Sequence, residues 1–167
     1  NVQNMMIAIV SGILCHVDKK SISYTLKNFM GVEHRIEYVR ALDGVKYYND
    51  SKATNTDAAI IALKAFDKPV ILLMGGYEKG LDLTEMSSYN SSISSLICFG
   101  DAGERFMKDM NHPHSYLVEH LEDAIFKAHE IANDGDIVLL SPSTSSFDEF
   151  GGYEERGRVF KKIVKEL

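Results

Sequence analysis

Several features that mark common functional classes are missing from this chain. Only two cysteines occur among its 167 residues, and they form no Cys-x-x-Cys pair. Both Cys15 and Cys98 stand in apolar segments, so we expect buried free thiols and a reducing, cytoplasmic environment. The six histidines form no His-Glu-x-x-His motif and no ligand array with the cysteines. This pattern argues against a metal site held by the chain.

Basic clusters and long apolar runs are equally scarce. The net charge is −6, and without a long basic run the chain has no electrostatic footprint for nucleic acid. The apolar stretch at the N-terminus is too short and too interrupted to span a bilayer, which takes about 20 apolar residues. No Lys or Arg precedes that stretch, as one would in a secretion signal. We therefore expect neither nucleic acid nor a membrane as a partner.

The N-terminal 30 residues predict two helices. The opening segment NVQNMMIAIVSGILC indicates a helix that is apolar on nearly all sides. A second helix is expected over about 18–29, with Asp18 as its N-cap and Gly31 just beyond its end. We expect residues 1–30 to be the helical end of a preceding domain, cut out of a larger protein, and 31–167 to form a domain of their own.

From residue 34 onward, apolar strands alternate with helices. Strands are predicted at 34–42, 45–50, 70–76, 95–100, 115–118 and 137–141, and helices at about 55–66, 101–110, 120–133 and 153–167. The runs VILLMGG and IVLLS are continuously apolar, as in strands covered on both faces. The alternation predicts an α/β fold with a Rossmann-like, open, mostly parallel sheet and flanking helices.

Three polar loops each follow a predicted strand, and ligands of open α/β sheets bind at that edge. The first loop (50–55, DSKATN) places an acid, a cation and hydroxyls just before a helix start, which suits a carboxylate or a phosphate. Asp50 would suit a ribose hydroxyl and Lys52 a phosphate. The alternative is that Thr54, Asn55 or Thr56 only caps the helix and that Lys52 is merely solvated.

The other two loops carry weaker signals. The second loop (75–80, GGYEKG) matches neither GxGxxG nor GxxxxGK[ST], so it is no dinucleotide fingerprint and no Walker loop. It brings Lys79 to the sheet edge, unless that lysine is simply exposed on a flexible turn. The third loop (141–150, SPSTSSFDEF) offers hydroxyls to an anion or to a helix cap. It lacks a GxSxG elbow, which disfavours a serine hydrolase.

Taken together, the motifs resemble the C-terminal domain of the Mur ligases. The resemblance rests on VEHRIEYV, NDSKATN, LLMGGYEKG and LLSPSTSSFDEFGGYEERG, in this order and spacing, and spans nearly the whole chain. The opening NVQN looks like the end of the family's HNxxN segment. The branch that adds D-glutamate is the most similar. Two departures are that SPSTSSFD stands where SPACASFD is usual, and Tyr153 where Phe is frequent.

The resemblance implies an ATP-dependent ligase of bacterial peptidoglycan synthesis. Such a ligase joins D-glutamate to UDP-N-acetylmuramoyl-L-alanine through an acyl phosphate, and it requires ATP and Mg²⁺. The family's P-loop and Mg²⁺ ligands belong to N-terminal and central domains that are missing from this chain. We therefore expect the isolated chain to fold without turning over ATP.

The resemblance also assigns roles to single residues. Lys52 is implied as the catalytic residue, close to the transferred phosphate. The implied nucleotide-binding residues are Asn1, Asn4, Arg35 and Asp50. The implied D-glutamate-binding residues are Thr54, Lys79, Ser146, Phe147 (through its backbone) and Tyr153. No metal ligand is expected in this chain.

Three alternatives remain open at this point. A sister Mur ligase or a folylpolyglutamate synthetase would share the architecture and differ in the amino-acid pocket. A non-catalytic nucleotide- or metabolite-binding module would need no partner domain. A structural or interaction domain would tolerate the loss of Lys52 or Lys79.

Overall fold

A computed structural model describes residues 2–29 and 31–167 of the chain. The helices are α1 (Val2–Leu14), α2 (Lys19–Asn28), α3 (Thr56–Leu63), α4 (Thr84–Ser87), α5 (Gly103–Met110), α6 (Leu121–Ile131) and α7 (Tyr153–Glu166). The strands are β1 (Glu37–Leu42), β2 (Val45–Asn49), β3 (Val70–Gly75), β4 (Ile93–Phe99), β5 (Ser115–Leu117) and β6 (Ile137–Leu140).

The residues up to Val32 form one compact unit, and Glu33–Leu167 form a second. In the first unit α1 and α2 lie where the sequence predicts helices, and Asp18 caps α2 by accepting from the N–H groups of Lys20 and Ser21. Helix α1 has no buried residue. That this unit belongs to a preceding domain stays a prediction. Within the described residues, no helix combines the length and the apolar character needed to cross a membrane.

One of the two thiols differs from expectation. Cys98 is buried, and burial raises the pKa of its thiol to about 12. Cys15 is exposed, so the expectation of two buried thiols was wrong. Cys15 lies in the turn just after α1, a helix that has no buried residue, so its apolar neighbours in sequence do not bury it.

The second unit is built on a six-stranded sheet in the order β1-β2-β6-β3-β4-β5. Strand β1 pairs antiparallel with β2, and all other neighbours pair in parallel. The mostly parallel α/β sheet that the sequence predicts is therefore confirmed. The two continuously apolar runs form the central strands β3 and β6, in which every residue is buried.

Helices cover both faces of the sheet, and β3 shows how its side chains are shared between them. Leu72 and Met74 pack on one face with residues of α3, α4 and α5. Ile71 and Leu73 point to the other face, where they pack with residues of α6 and α7. This two-residue alternation is the geometry of a strand buried on both sides.

The predicted start of the first strand was wrong. Strand β1 begins at Glu37 and not at residue 34, because His34 (φ 63°) and Ile36 (φ 45°) adopt the left-handed conformation. That conformation cannot continue a strand. The predicted Asp43-Gly44 turn does join β1 to β2, with positive φ at both residues, as a tight hairpin turn requires. The short helix α4 was not predicted.

Candidate functional site

The three polar loops meet at one edge of the sheet. They follow β2, β3 and β6, which are adjacent and parallel, so their carboxyl ends lie side by side. The backbone N–H of Asp50 donates to the carbonyl of Leu140 at 2.8 Å, and that of Gly75 donates to the carbonyl of Pro142 at 3.0 Å. The predicted convergence of the loops is therefore present.

The second loop is hydrogen-bonded to both of the others. The N–H of Tyr77 donates to the carbonyl of Ser145 at 2.9 Å, and the Thr144 hydroxyl donates back to the carbonyl of Tyr77 at 2.7 Å. On the opposite side, Nζ of Lys79 lies 3.5 Å from the carbonyl oxygen of Thr54. The second loop thus brings its lysine to the start of α3.

The carboxylate next to Lys79 is engaged elsewhere. Both oxygens of Glu78 accept from the guanidinium of Arg105, each at 2.8 Å. This two-point pairing holds the Glu78 carboxylate on α5. Lys79 therefore keeps its positive charge available for an anion.

The first loop combines a helix cap with an exposed cation. The side chain of Asn55 accepts from the N–H of Ala58 at 2.9 Å and so caps α3. The capping alternative is thus correct for Asn55, which leaves the neighbouring Thr54 uninvolved in the cap. Lys52 is exposed, and its Nζ lies 5.7 Å from the ring centroid of Tyr153 at the start of α7. The structure thus brings together two residues that the sequence assigns to the site.

Asp50 is buried at the base of the site and holds the turn that carries Arg35. Its Oδ1 accepts from the N–H of Ile36 at 3.1 Å, and its Oδ2 accepts from the Ser141 hydroxyl at 2.8 Å. Burial raises the pKa of the Asp50 carboxyl to about 6, although both hydrogen bonds favour the ionised form. Arg35 is exposed between two left-handed residues, so Asp50 fixes where this arginine stands.

A polar cluster next to this turn supports it. Asn49 donates from Nδ2 to Glu37 and to Nδ1 of His34, each at 3.0 Å. Nδ1 of His34 is therefore the acceptor, and its other nitrogen carries the proton in the neutral ring. Burial lowers the pKa of the His34 imidazole, which favours this neutral form. His34 thus acts as a supporting residue beneath the exposed Arg35.

The same cluster contains the candidate metal ligands that the described part of the chain offers. One ligand atom from each of Glu33, His34 and Glu37 lies within 4.8 Å of the others. Nζ of Lys161, however, contacts both carboxylates, at 2.6 and 3.0 Å. This lysine is already paired with both carboxylates, and Nδ1 of His34 already accepts from Asn49, so the cluster does not fit a metal ion.

The third loop presents buried hydroxyl groups. Those of Ser143, Ser145 and Ser146 have no hydrogen-bond partner among the described residues. A buried hydroxyl without a partner costs about 1–3 kcal/mol, so a carboxylate or phosphate placed here would relieve that cost. The next residue, Phe147, is 66% exposed. This exposed ring stands at the rim of the loop.

Sequence reasoning missed Arg156. This residue on α7 is fully buried and donates to the backbone of all three loops. The signal was present in the sequence, because Arg156 precedes the buried residues Phe160 and Val164 by one and two helical repeats. An arginine on the apolar face of a helix must find buried acceptors.

Two of the nucleotide candidates belong to the first unit. Asn4 lies on α1 and is exposed. Asn1 lies outside the described residues. The adenine-binding role that the resemblance implies for both residues stays a prediction.

The raised pKa of Asp50 predicts a pH-dependent stability. Between about pH 4 and pH 6 the folded chain binds more protons at Asp50 than the unfolded chain, so the free energy of unfolding falls as pH rises through this window. The shift corresponds to about 3 kcal/mol. Asp50→Asn removes the titration and keeps both hydrogen bonds possible. We compare the free energy of unfolding of this variant with that of wild type at the same pH. The difference, variant minus wild type, should increase by about that amount from pH 4 to pH 7.

Urea unfolding followed by circular dichroism across this pH range measures the difference. Asp67→Asn, at an exposed position, serves as the matched control and should follow the wild-type pH dependence. A stability difference between Asp50→Asn and wild type that stays constant with pH would contradict the assignment.

Comparison with known proteins adds independent findings. The family model described as "Mur ligase, glutamate ligase domain" matches residues 34–144. A UDP-N-acetylmuramoylalanine–D-glutamate ligase from Caldanaerobacter subterraneus subsp. tengcongensis is 41% identical over all of this chain. The chain spans 38% of the length of that relative.

Solved structures agree on the fold. The UDP-N-acetylmuramate-alanine ligase MurC from Thermotoga maritima has a TM-score of 0.70 at 15% identity, over 99% of this chain and 38% of that one. The bifunctional folylpolyglutamate synthase/dihydrofolate synthase from Yersinia pestis, complexed with AMPPNP and Mn ion, has a TM-score of 0.63 at 15% identity. That match covers 88% of this chain and 35% of that one. At 15% identity, these two matches show that the fold is shared and nothing more.

Proposed function

This chain belongs to the Mur ligase family, and we propose that it is the D-glutamate-binding part of an ATP-dependent ligase that extends UDP-N-acetylmuramoyl-L-alanine. The observation that carries the proposal is the meeting of three loops at one sheet edge, where they carry Lys52, Lys79 and the buried serine hydroxyls. A ligase of this kind acts in peptidoglycan biosynthesis. We place it in the bacterial cytoplasm.

Lys79 supports the binding of an acidic amino acid. D-Glutamate carries two carboxylates, and a chain with net charge −6 needs placed donors to hold them. In the proposed complex Lys79 binds one carboxylate, next to Thr54. The Ser146 hydroxyl and the backbone N–H of Phe147 bind the other, with Tyr153 at the rim. Since the Ser146 hydroxyl is buried without a partner in the described chain, this ligand would satisfy it.

The turn around Arg35 supports the binding of the nucleotide. Each oxygen of the Asp50 carboxylate accepts one internal hydrogen bond and can accept another. In the proposed complex Asp50 accepts a ribose hydroxyl of ATP, and the exposed Arg35 reaches its phosphates. For Asn1 and Asn4, adenine binding stays an expectation that rests on the resemblance alone.

Lys52 supplies the charge that the reaction needs. The γ-phosphoryl group of ATP passes to the carboxylate of UDP-N-acetylmuramoyl-L-alanine, which gives an acyl phosphate and ADP. The amine of D-glutamate attacks the acyl carbon, and the tetrahedral intermediate expels phosphate as the amide forms. Lys52 stabilises negative charge on the phosphate during both steps. Holding the amine against the acyl carbon can contribute about 7–11 kcal/mol.

The remaining machinery is assigned to other parts of the protein. The chain spans 38% of the length of its relative, and we expect the P-loop and the Mg²⁺ ligands in the other N-terminal and central domains. The carboxylates of Glu33 and Glu37 are already paired with Lys161, so we assign no Mg²⁺ to them. The isolated chain should therefore fold without hydrolysing ATP.

The test is phosphate release by the full-length protein that contains this chain. UDP-N-acetylmuramoyl-L-alanine and ATP are supplied with D-glutamate, L-glutamate or a diamino acid. We expect release that requires D-glutamate, and no steady release from the isolated chain.

Each other outcome identifies a different protein. Release with another amino acid would assign the chain to a sister ligase with a different pocket. Release with a folate acceptor and L-glutamate would assign it to the folylpolyglutamate synthetases. No release with any acceptor would favour a non-catalytic binding module.

A further inference from the structure

Arg156 binds all three loops of the site from beneath. Its Nε donates to the Ser51 hydroxyl at 3.0 Å, and one terminal nitrogen donates to the carbonyls of Ser51 (3.0 Å) and Thr144 (2.9 Å). The other terminal nitrogen lies 3.2 Å from the carbonyl of Ser145 and 3.5 Å from that of Gly75. One side chain thus connects the first, second and third loops.

These contacts use features that only a guanidinium has. Its planar fork carries five N–H donors in fixed directions, whereas a lysine presents three donors on one atom. All the acceptors that Arg156 contacts are carbonyl or hydroxyl oxygens, so its charge is not neutralised by a carboxylate within hydrogen-bond distance among the described residues. Burial lowers the pKa of the guanidinium to about 10, which leaves it protonated at neutral pH. Its positive charge therefore lies under the loops proposed to bind anions.

The packing at Gly76 shows how closely the loops approach over this side chain. A Cβ added at Gly76 would lie 2.4 Å from the carbonyl oxygen of Ser145 and 2.9 Å from Nη1 of Arg156, and φ there is +129°. Only glycine is compatible with that space and that conformation. The distance between the second and third loops is thus set at the point where both contact Arg156.

We propose that Arg156 is a positioning residue for the ligase reaction: it holds the three loops at the spacing that the amino acid and the transferred phosphate require. This inference rests on the proposed function. Arg156 acts through the loops and touches neither substrate. We therefore expect the loss of Arg156 to weaken the binding of D-glutamate. The binding of substrate groups held by other domains should not change.

Arg156→Lys in the full-length protein tests the proposal, with Arg158→Lys at an exposed position of the same helix as the matched control. Displaced loops would weaken the hydrogen bonds to D-glutamate, and the loss of one charged hydrogen bond lowers affinity about 10- to 100-fold. We therefore expect the KM for D-glutamate to rise by about that factor. The KM for UDP-N-acetylmuramoyl-L-alanine should stay within about twofold, since it is bound mainly outside this chain. Gly76→Ala should produce the same pattern while leaving Arg156 itself in place.

The split between the two KM values separates positioning from folding. A variant that merely unfolds in part has fewer active molecules, which lowers kcat and leaves KM unchanged. Unchanged KM values with a lower kcat and a lower melting temperature would therefore overturn the proposal.

A second measurement is independent of activity. Hydrogen exchange by mass spectrometry on the full-length protein should show faster exchange in all three loops of Arg156→Lys, with the protection of α6 unchanged. Unchanged exchange in the second and third loops would overturn the proposal. If the proposed function is wrong, the wild-type protein will show no D-glutamate-dependent phosphate release. The exchange experiment still tests the role of Arg156 in that case, because it does not depend on activity.

Discussion

Replacing Lys52 with methionine in the full-length protein is expected to lower kcat for D-glutamate-dependent phosphate release by about 10²–10³-fold. The lysine is exposed beside the Tyr153 ring, and no carboxylate pairs with it among the described residues. Its charge is therefore free to act on the phosphate whose negative charge develops in the transition state. Methionine keeps the length and apolar stem of the side chain and removes only the charge.

Initial rates at saturating substrates measure this effect. Lys162→Met, at an exposed position on α7, is the matched control and should retain wild-type turnover. If Lys52→Met kept kcat within about threefold of wild type, its proposed place at the reacting phosphate would be wrong, because loss of one placed charge costs far more.

The sheet and the site loops could be predicted because both follow from local patterns. A strand covered by helices on both faces must be apolar at every position, and β3 and β6 carry that pattern unbroken. Once these strands are parallel neighbours, the polar segments that follow them must meet at one edge. The first and second loops therefore came together as expected. The approach of Nζ of Lys79 to the carbonyl oxygen of Thr54, at 3.5 Å, was not predicted.

The remaining features depend on contacts between distant parts of the chain. The left-handed turn at His34 and Ile36 is fixed by Asp50, 14 residues further along from Ile36. The contacts of Arg156 with Ser51 span 105 residues. No periodicity in a short window reports such contacts. A short stretch of sequence does show a residue that does not fit its pattern, such as a charged residue on the apolar face of α7. That misfit residue is Arg156, which supports the site.

Replacing Lys79 with alanine tests the amino-acid pocket and should affect a different kinetic constant. Loss of a charged hydrogen-bond partner costs about 1.5–3 kcal/mol, so we expect the KM for D-glutamate to rise about 10- to 100-fold. At saturating D-glutamate kcat should change much less than in Lys52→Met, because Lys79 binds the amino acid away from the transferred phosphate. Initial rates over a range of D-glutamate concentrations measure both constants.

Lys108→Ala is the matched control, since this exposed lysine lies in the last turn of α5. It should leave the KM for D-glutamate unchanged. The design also distinguishes the two lysines from each other. A lysine that contacts the bound substrate lowers KM, whereas a lysine that contacts only the transition state raises kcat. If Lys79→Ala lowered kcat and left KM unchanged, Lys79 would be assigned to the reacting phosphate and not to the amino-acid pocket. D-Glutamate would then have to bind between the three loops in the reverse orientation.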